Sequence, residues 1–174
     1  GVDVIKLIDQ DQMTMDEVMA VVDEAHKKGL KVVGHSHRPE EIRRGVKAGV
    51  DNFEHTGLSS APEYPPDVMA MLKERTAQMN LGPLYWTPTV SILFNYEYMR
   101  DSPEMLDDPS WKEGLSQDII DDIRASLATP DRLPYYQLTP IRRPTLKKKF
   151  QQLREAGIVL MIGTDSGVPM LFHS

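Results

Sequence analysis

The feature that most restricts the fold of this chain is a repeated pattern in which short apolar runs alternate with amphipathic helix patterns. The apolar runs are rich in branched residues, and each of the first three is followed by apolar residues at helical spacing. A capping box at Thr14 and Glu17 predicts where the first helix begins, and Gly29 predicts where it ends. This alternation favours an α/β protein, because parallel strands need a helical crossover between them.

The pattern predicts five strands and five helices. The strands are expected at 2–8, 31–36, 50–55, 85–90 and 158–162, and the helices between Thr14 and Gly29 and at 39–49, 66–80, 118–127 and 144–156. The last strand is wholly apolar, which is typical of a strand buried on both faces of a parallel sheet. Pro88 weighs against a long fourth strand, since a proline removes a ladder hydrogen bond.

Residues 91–143 interrupt the alternation. The segment is rich in proline and contains one predicted helix. A long insertion in an α/β chain is typically a binding loop or a lid, and we predict a lid-like role within a single partial domain that spans 1–174. Because the chain starts at Gly1, directly in an apolar run, we expect it to be a piece of a longer protein.

The composition of the chain limits the kinds of binding partner and metal ligand that it can have. The net charge of −6 argues against nucleic acid, because phosphate binding needs a basic surface. The apolar runs are too short to cross a bilayer, so no membrane partner is predicted. There is no cysteine, which excludes disulfides and thiolate ligands and leaves nitrogen and oxygen to hold any metal. The sequence does not determine the compartment, although a soluble cytoplasmic location is favoured.

Polar residues on or near the strand ends are the candidates for chemistry: Lys6, His35, His37, His55 and Asp165. The strand period puts His35 and His37 on one face, and a lysine inside a sheet must be paired or modified. Because the carboxyl ends of parallel strands meet at one edge, these groups are expected to converge. Imidazole and carboxylate suit Zn, Mn, Fe or Co. Each residue alone also has a structural explanation, such as a turn aspartate or a lysine that snorkels outward.

Three stretches carry a resemblance to a known family. The stretches GVDVIKLI, EAHKKGLKVVGHSHRPEEIRRGVKAGVDNFEH and GIVLMIGTDSG resemble the amidohydrolase superfamily, in the branch of imidazolonepropionase-like and Xaa-Pro dipeptidase-like enzymes. The resemblance implies a partial TIM (β/α)₈ barrel whose five strands are equivalent to the fourth to eighth strands of the full barrel. The insertion lies between the fourth and fifth of the strands that this chain contains. It also implies one or two divalent ions, with zinc expected and Mn, Fe or Co as alternatives.

The resemblance also implies roles for individual residues. Lys6 matches the lysine of the fourth barrel strand, which in the family is carboxylated and bridges the metals. His35 and His55 match the metal-binding histidines of the fifth and sixth strands. Asp165 matches the aspartate of the eighth strand, which binds metal and takes the proton from the attacking water.

Substrate contacts and missing parts follow from the same resemblance. We predict that His37 and His173 contact a small-molecule substrate. The family's first strand carries a His-x-His pair, and no strand precedes Lys6, so a more buried metal would keep only Lys6 and Asp165. The expected partner is therefore the missing N-terminal half of the barrel, and a homo-oligomer is an alternative.

Three hypotheses stay open. The first is a metal-dependent hydrolase that cleaves carbon–nitrogen bonds of amides, cyclic amides or dipeptides through a metal-activated water. The second is a half-barrel that is inactive alone or acts as an assembly partner, since its sheet has two open edges. The third is a small doubly wound binding domain without metal, which predicts a glycine-rich loop after the first strand, whereas residues 9–12 contain no glycine.

Overall fold

The described part of the computed structural model comprises residues 1–57, 61–129 and 134–168. Its strands form one parallel sheet in which each strand lies beside the one before it in the chain. The strands are β1 (Val4–Leu7), β2 (Lys31–His35), β3 (Asn52–Glu54), β4 (Tyr85–Thr87) and β5 (Val159–Leu160). The predicted parallel sheet of alternating strands and helices is confirmed, and its strand order is that of consecutive units in a β/α barrel.

Helices connect the strands where the sequence predicts them, with bounds shifted by a few residues. The α-helices are α1 (Met15–Lys27), α2 (Pro39–Ala48), α3 (Pro66–Ala77), α4 (Ile92–Asp101), α5 (Gln117–Ala128), α6 (Pro134–Gln137), α7 (Thr139–Arg142) and α8 (Leu146–Glu155). Short 3₁₀ turns lie at Met79–Leu81, Pro103–Asp107, Ser110–Lys112 and Arg143–Thr145. The capping box is confirmed, since the Thr14 side chain accepts from the Glu17 N–H and the Glu17 carboxylate accepts from the Thr14 N–H. Among the helices described, none has the length and apolar character needed to cross a membrane.

One face of the sheet packs against the helices and forms the core. Phe53 and Trp86 project from neighbouring strands, are fully buried, and have ring centroids 5.1 Å apart. Val32 from β2 and Leu72 from α3 close around them. The same alternation places every second residue of each strand on the opposite face, which would form the interior of a barrel.

That opposite face is exposed, and it corrects one prediction. The apolar segment at 158–162 is expected to be buried on both faces, but Val159 is 43% and Met161 is 46% exposed on this face. On the other side Ile158 is buried and Leu160 is partly buried, whereas Ile162, beyond the end of β5, is fully exposed. The physical reason is that helices cover one face of the sheet, whereas the opposite face of a barrel strand is covered by side chains from strands around the whole ring.

The chain divides into two compact units. The first comprises Gly1–Pro88 and Thr145–Gly163, and the second comprises Thr89–Pro144 and the residues from Thr164 onward. Within the second unit the rings of Tyr96 and Tyr136 stack with centroids 3.8 Å apart, and both are buried. Burial raises the pKa of Tyr136. These tyrosines therefore pack the interior of their unit, while a lid-like role for 91–143 stays a prediction.

A buried carboxylate fastens the amino-terminal end of the sheet. Asp51 precedes β3 and accepts hydrogen bonds from the Val32 N–H at 2.9 Å and from Lys31 Nζ at 2.8 Å, and it contacts His26 Nε2 at 2.8 Å. Burial raises the pKa of Asp51, but these hydrogen bonds outweigh burial and hold the pKa below its ordinary value. Asp51 thus ties α1, β2 and β3 together at the end of the sheet away from His35.

We predict that Asp51→Ala lowers the free energy of unfolding by about 1–3 kcal/mol, because it leaves the buried Val32 N–H without an acceptor. Asp51→Asn retains an acceptor and is expected to lose clearly less. Since the folded-state pKa lies below the unfolded value of about 3.9, the carboxylate's contribution is complete above that value and is lost as pH falls through the folded pKa. Urea denaturation between pH 3 and 7 checks both expectations, and equal losses for Ala and Asn at every pH would contradict them.

Candidate metal centre

Strained backbone follows the strands on their carboxyl-terminal side. In the described ranges the non-glycine residues with positive φ are Asp9 (55°), His55 (74°), Thr89 (47°) and Asp165 (61°). They come after β1, β3, β4 and β5 respectively. Left-handed backbone is unfavourable for such residues and is retained mainly where function or packing requires it. The ends at which barrel enzymes carry their chemistry are thus the places where this chain stores strain.

His35 ends β2 on the face away from the helices. Its neighbour Gly34 is buried on the helix side, so the strand period turns the imidazole toward the open face. Burial lowers the pKa of His35, an effect that nearby Glu41 opposes and nearby Lys6 reinforces. The ring is therefore neutral at pH 7, which is the state in which histidine binds a metal.

His55 reaches the same place by a departure from strand geometry. Its predecessor Glu54 is the register partner of His35, so these two side chains share a face. Regular alternation would turn His55 to the helix side, beside Phe53. The left-handed backbone at His55 breaks that alternation. As a result His55 Nε2 lies 3.1 Å from His35 Nδ1, and the ring centroids are 4.3 Å apart.

His37 completes a cluster of three imidazoles. Its ring centroid lies 4.2 Å from that of His35 and 4.6 Å from that of His55. One nitrogen of each ring lies within 4.8 Å of the others. In a tetrahedral zinc site with bonds of about 2.0–2.1 Å, ligand nitrogens are about 3.3 Å apart, so small ring movements would suffice. The donor set fits a divalent metal that accepts nitrogen ligands.

Lys6 lies on the open face of β1 and pairs with a residue that the sequence prediction missed. Its Nζ is 2.5 Å from Glu54 Oε2, and the lysine side chain is 37% exposed. The signal was present in the sequence, because Glu54 precedes His55 at a strand end. A carboxylated lysine is an anion and could no longer form this ion pair with Glu54. Carboxylated Lys6 therefore stays a prediction that must compete with Glu54.

A second cluster, made of acidic residues, lies beside the histidines and is held together by an arginine. Oxygens of Asp9, Asp11 and Glu41 lie within 4.8 Å of one another. Arg38 pairs with all three, at 2.5 Å to Asp9, 2.7 Å to Asp11 and 3.2 Å to Glu41. The guanidinium offsets part of the negative charge of the cluster and ties the loop after β1 to the amino end of α2. The sequence prediction missed this network, which supports the segment that carries His37.

Asp165 and His173 are the remaining predicted site residues. Asp165 belongs to the second unit, where it is exposed and has left-handed backbone. The residue before it, Thr164, accepts a hydrogen bond through its carbonyl from the Ser91 hydroxyl at 3.3 Å. His173 falls outside the described residues. The structure therefore brings together Lys6, His35, His37 and His55, and the metal and catalytic roles of Asp165 stay predictions.

Solved structures are similar to this chain along most of its length. A Xaa-Pro dipeptidase with bound methionine in its active site is 25% identical, with a TM-score of 0.49, over 90% of this chain and 30% of that chain. The ochratoxinase of A. niger is 20% identical, with a TM-score of 0.52, over 91% of this chain and 27% of that chain. An amidohydrolase is 22% identical, with a TM-score of 0.48, over 87% and 28%. No family model and no curated protein matches the chain.

These similarities concern the fold. The likeness to ochratoxinase shows that this α/β chain shares its architecture with part of a larger enzyme. At the level of the fold, this likeness confirms the predicted family resemblance. The chain spans less than a third of the length of each of these proteins. The equivalence of its strands to the fourth to eighth of a barrel stays a prediction.

Proposed function

We propose that this chain supplies the metal-binding half of a hydrolase that cleaves carbon–nitrogen bonds in small amides, cyclic amides or dipeptides. The observation that carries the proposal is the cluster of His35, His37 and His55 at the carboxyl ends of parallel strands. The motif resemblance assigns metal binding to two of these histidines, His35 and His55. The fold shared with ochratoxinase is consistent with that assignment.

In this proposal His35 and His55 hold a divalent ion, with zinc expected, and Lys6 contributes once it is carboxylated. Three protein ligands leave one coordination position open, which is the pattern of a catalytic site. When bound, a divalent ion supplies Lewis acidity that lowers the pKa of water to about 7. His37, whose ring lies beside both of these histidines, is proposed to contact the substrate.

Asp165 is proposed to move the proton. Its carboxylate accepts a proton from the attacking water and later delivers that proton to the leaving nitrogen, as general base and then general acid. Delivery to nitrogen matters because an amine leaves far more readily than an amide anion. His173 is proposed as a further substrate contact. The segment at 91–143 is proposed to select among substrates as a lid.

The exposed face of the sheet favours a second candidate, a half-barrel that is inactive alone or acts as an assembly partner. Val4 and Ile8 on and after β1, and Val159 and Met161 on and after β5, are large apolar residues exposed to solvent on this face. Exposed apolar surface next to open strand edges promotes association. The partner would be the remaining barrel strands or a second copy of this chain.

The test compares the 174-residue chain with the full-length protein that carries it. We expect the full-length protein to purify with a divalent metal by mass spectrometry and to hydrolyse members of a panel of N-acyl amino acids, cyclic amides and proline dipeptides. Treatment with a chelator should abolish hydrolysis, and zinc should restore it. Metal-free hydrolysis, or no metal at any zinc concentration, would overturn the proposal. Activity confined to the full-length protein, with association of the short chain, would favour the half-barrel description of this segment.

A further inference from the structure

We propose that Ser36 and Trp86 are positioning residues that hold His55 in its left-handed conformation and so aim its imidazole at His35. The inference rests on the proposed metal role of His55. It adds two residues to which neither the motif resemblance nor the fold assigns a task. Neither is placed to touch a metal or a substrate, and both act through the backbone of His55.

The carbonyl of His55 receives two side-chain donors. Trp86 Nε1 donates to it at 2.6 Å, and Ser36 Oγ lies 3.1 Å from it and shares its single proton between this carbonyl and the nearer carbonyl of Glu54. Ser36 and Trp86 are both buried. A buried carbonyl without a donor is unfavourable, so this pair of donors favours the one backbone conformation in which both reach it.

Neighbouring contacts restrict the same turn from other sides. The N–H of His55 donates to the Thr87 carbonyl at 2.9 Å, which continues the ladder between β3 and β4 up to this residue. Gly57 follows with φ of 85°, and a Cβ there would lie 3.2 Å from the carbonyl oxygen of His37. Lys149 Nζ donates to the Thr56 carbonyl at 3.2 Å. The chain therefore turns sharply at His55 and lies directly on the segment that carries His37.

Strand geometry shows why this turn matters. Without it, alternation would place the His55 ring on the side of Phe53 and away from His35. The serine between the two histidines of the His-Ser-His motif thus has a task of its own. The Ser36 side chain points to the opposite face from His35 and hydrogen-bonds to the end of β3. The flanking residues His35 and His37 direct their rings toward the cluster.

The test uses Ser36→Ala and Trp86→Phe in the full-length protein. Zinc affinity is measured by chelator competition, and the coordination geometry by the visible absorption of the cobalt form. Each variant is expected to weaken zinc binding about 10–100-fold, as is typical when a residue that orients a ligand is lost, and to alter the cobalt spectrum. Val22→Ala is the matched control, because it removes bulk from the same core on helix α1 rather than on β3 or β4, and it should leave affinity and spectrum unchanged.

A metal-free readout separates this inference from the proposed function. In the apo protein the contact between His55 Nε2 and His35 Nδ1 should give imidazole ¹⁵N signals that change in both variants and persist in Val22→Ala. Altered ring signals in a protein that binds no zinc would support the positioning role while overturning the metal proposal. Unchanged ring signals and unchanged zinc affinity in both variants would overturn the positioning role, whatever the protein hydrolyses.

Discussion

Alanine in place of His35 or His55 is expected to weaken binding of zinc about 100-fold. Apparent binding free energies of about 10–16 kcal/mol for a structural zinc site, shared among four ligands, correspond to about 3 kcal/mol per ligand. A loss of that size is about two orders of magnitude in affinity. The two histidine nitrogens are already 3.1 Å apart, so little binding energy is spent on bringing them together. Isothermal titration of the full-length protein measures the effect.

His26→Ala is the matched control for these variants. His26 is also a partly exposed histidine, but it contacts Asp51 at the amino-terminal end of the sheet. The His26→Ala variant should have a somewhat lower free energy of unfolding and an unchanged affinity for zinc. If His35→Ala and His55→Ala titrate like His26→Ala, the cluster is a packing feature and the metal centre does not exist.

The third ligand can be identified with two further variants. The resemblance implies carboxylated Lys6, so Lys6→Met should weaken zinc binding, and added bicarbonate should strengthen binding only when Lys6 is present. His37→Ala should then retain zinc and raise KM. The opposite result, tight binding by Lys6→Met and loss of zinc in His37→Ala, would assign the third position to His37. The ion pair of Lys6 with Glu54 makes this comparison informative, because it competes directly with carboxylation.

Much of the fold follows from local signals in the sequence. The capping box at Thr14, the glycine after α2 and the period of the apolar residues all act within a few residues, so a single sequence contains them. Gly49 illustrates this, since its φ of 92° is the left-handed helix end that the position predicts. The convergence of Lys6, His35 and His55 was also predictable, because parallel strands present their carboxyl ends at one edge.

Other features depend on partners far apart in the chain. The left-handed backbone of His55 requires donors from β4 and from the segment after β2, and alternation alone would have turned the ring away. The pairing of Lys6 with Glu54 joins β1 to β3 across an intervening strand. The exposure of Met161 also could not be predicted from the local sequence pattern, because an apolar run does not reveal whether both faces of the strand are covered.

Phe53 occupies a slot between two glycines. Substitutions at this position should lower the free energy of unfolding more than those at most other core positions. A Cβ at Gly45 of α2 would lie 2.6 Å from Phe53 Cε1, and one at Gly34 of β2 would lie 3.2 Å from it. The ring is fully buried against Trp86 and has no room to move. Phe53→Ala is therefore expected to lower the free energy of unfolding by about 3–5 kcal/mol, because the rigid slot cannot collapse into the cavity.

Gly45→Ala sets two effects against each other. Alanine favours a helix over glycine by about 1 kcal/mol, while forcing a methyl group into a filled core costs about 1–3 kcal/mol. Since the Cβ would meet a ring that cannot yield, we expect net destabilisation. Denaturant unfolding measures the sign, and an increase in stability would show that helix α2 can shift away from β3.

Combining Gly45→Ala with Phe53→Leu decides whether the slot itself is the cause. Leucine lacks the outer ring atoms that an alanine methyl at position 45 would meet, so each substitution relieves the strain or void created by the other. The double variant should be more stable than the sum of the single effects by about 1 kcal/mol or more, a coupling expected only for groups in direct contact. Additive losses would mean that the helix and the strand tolerate these changes independently. The close approach of α2 to β3, on which the position of His55 depends, would then rest on other contacts.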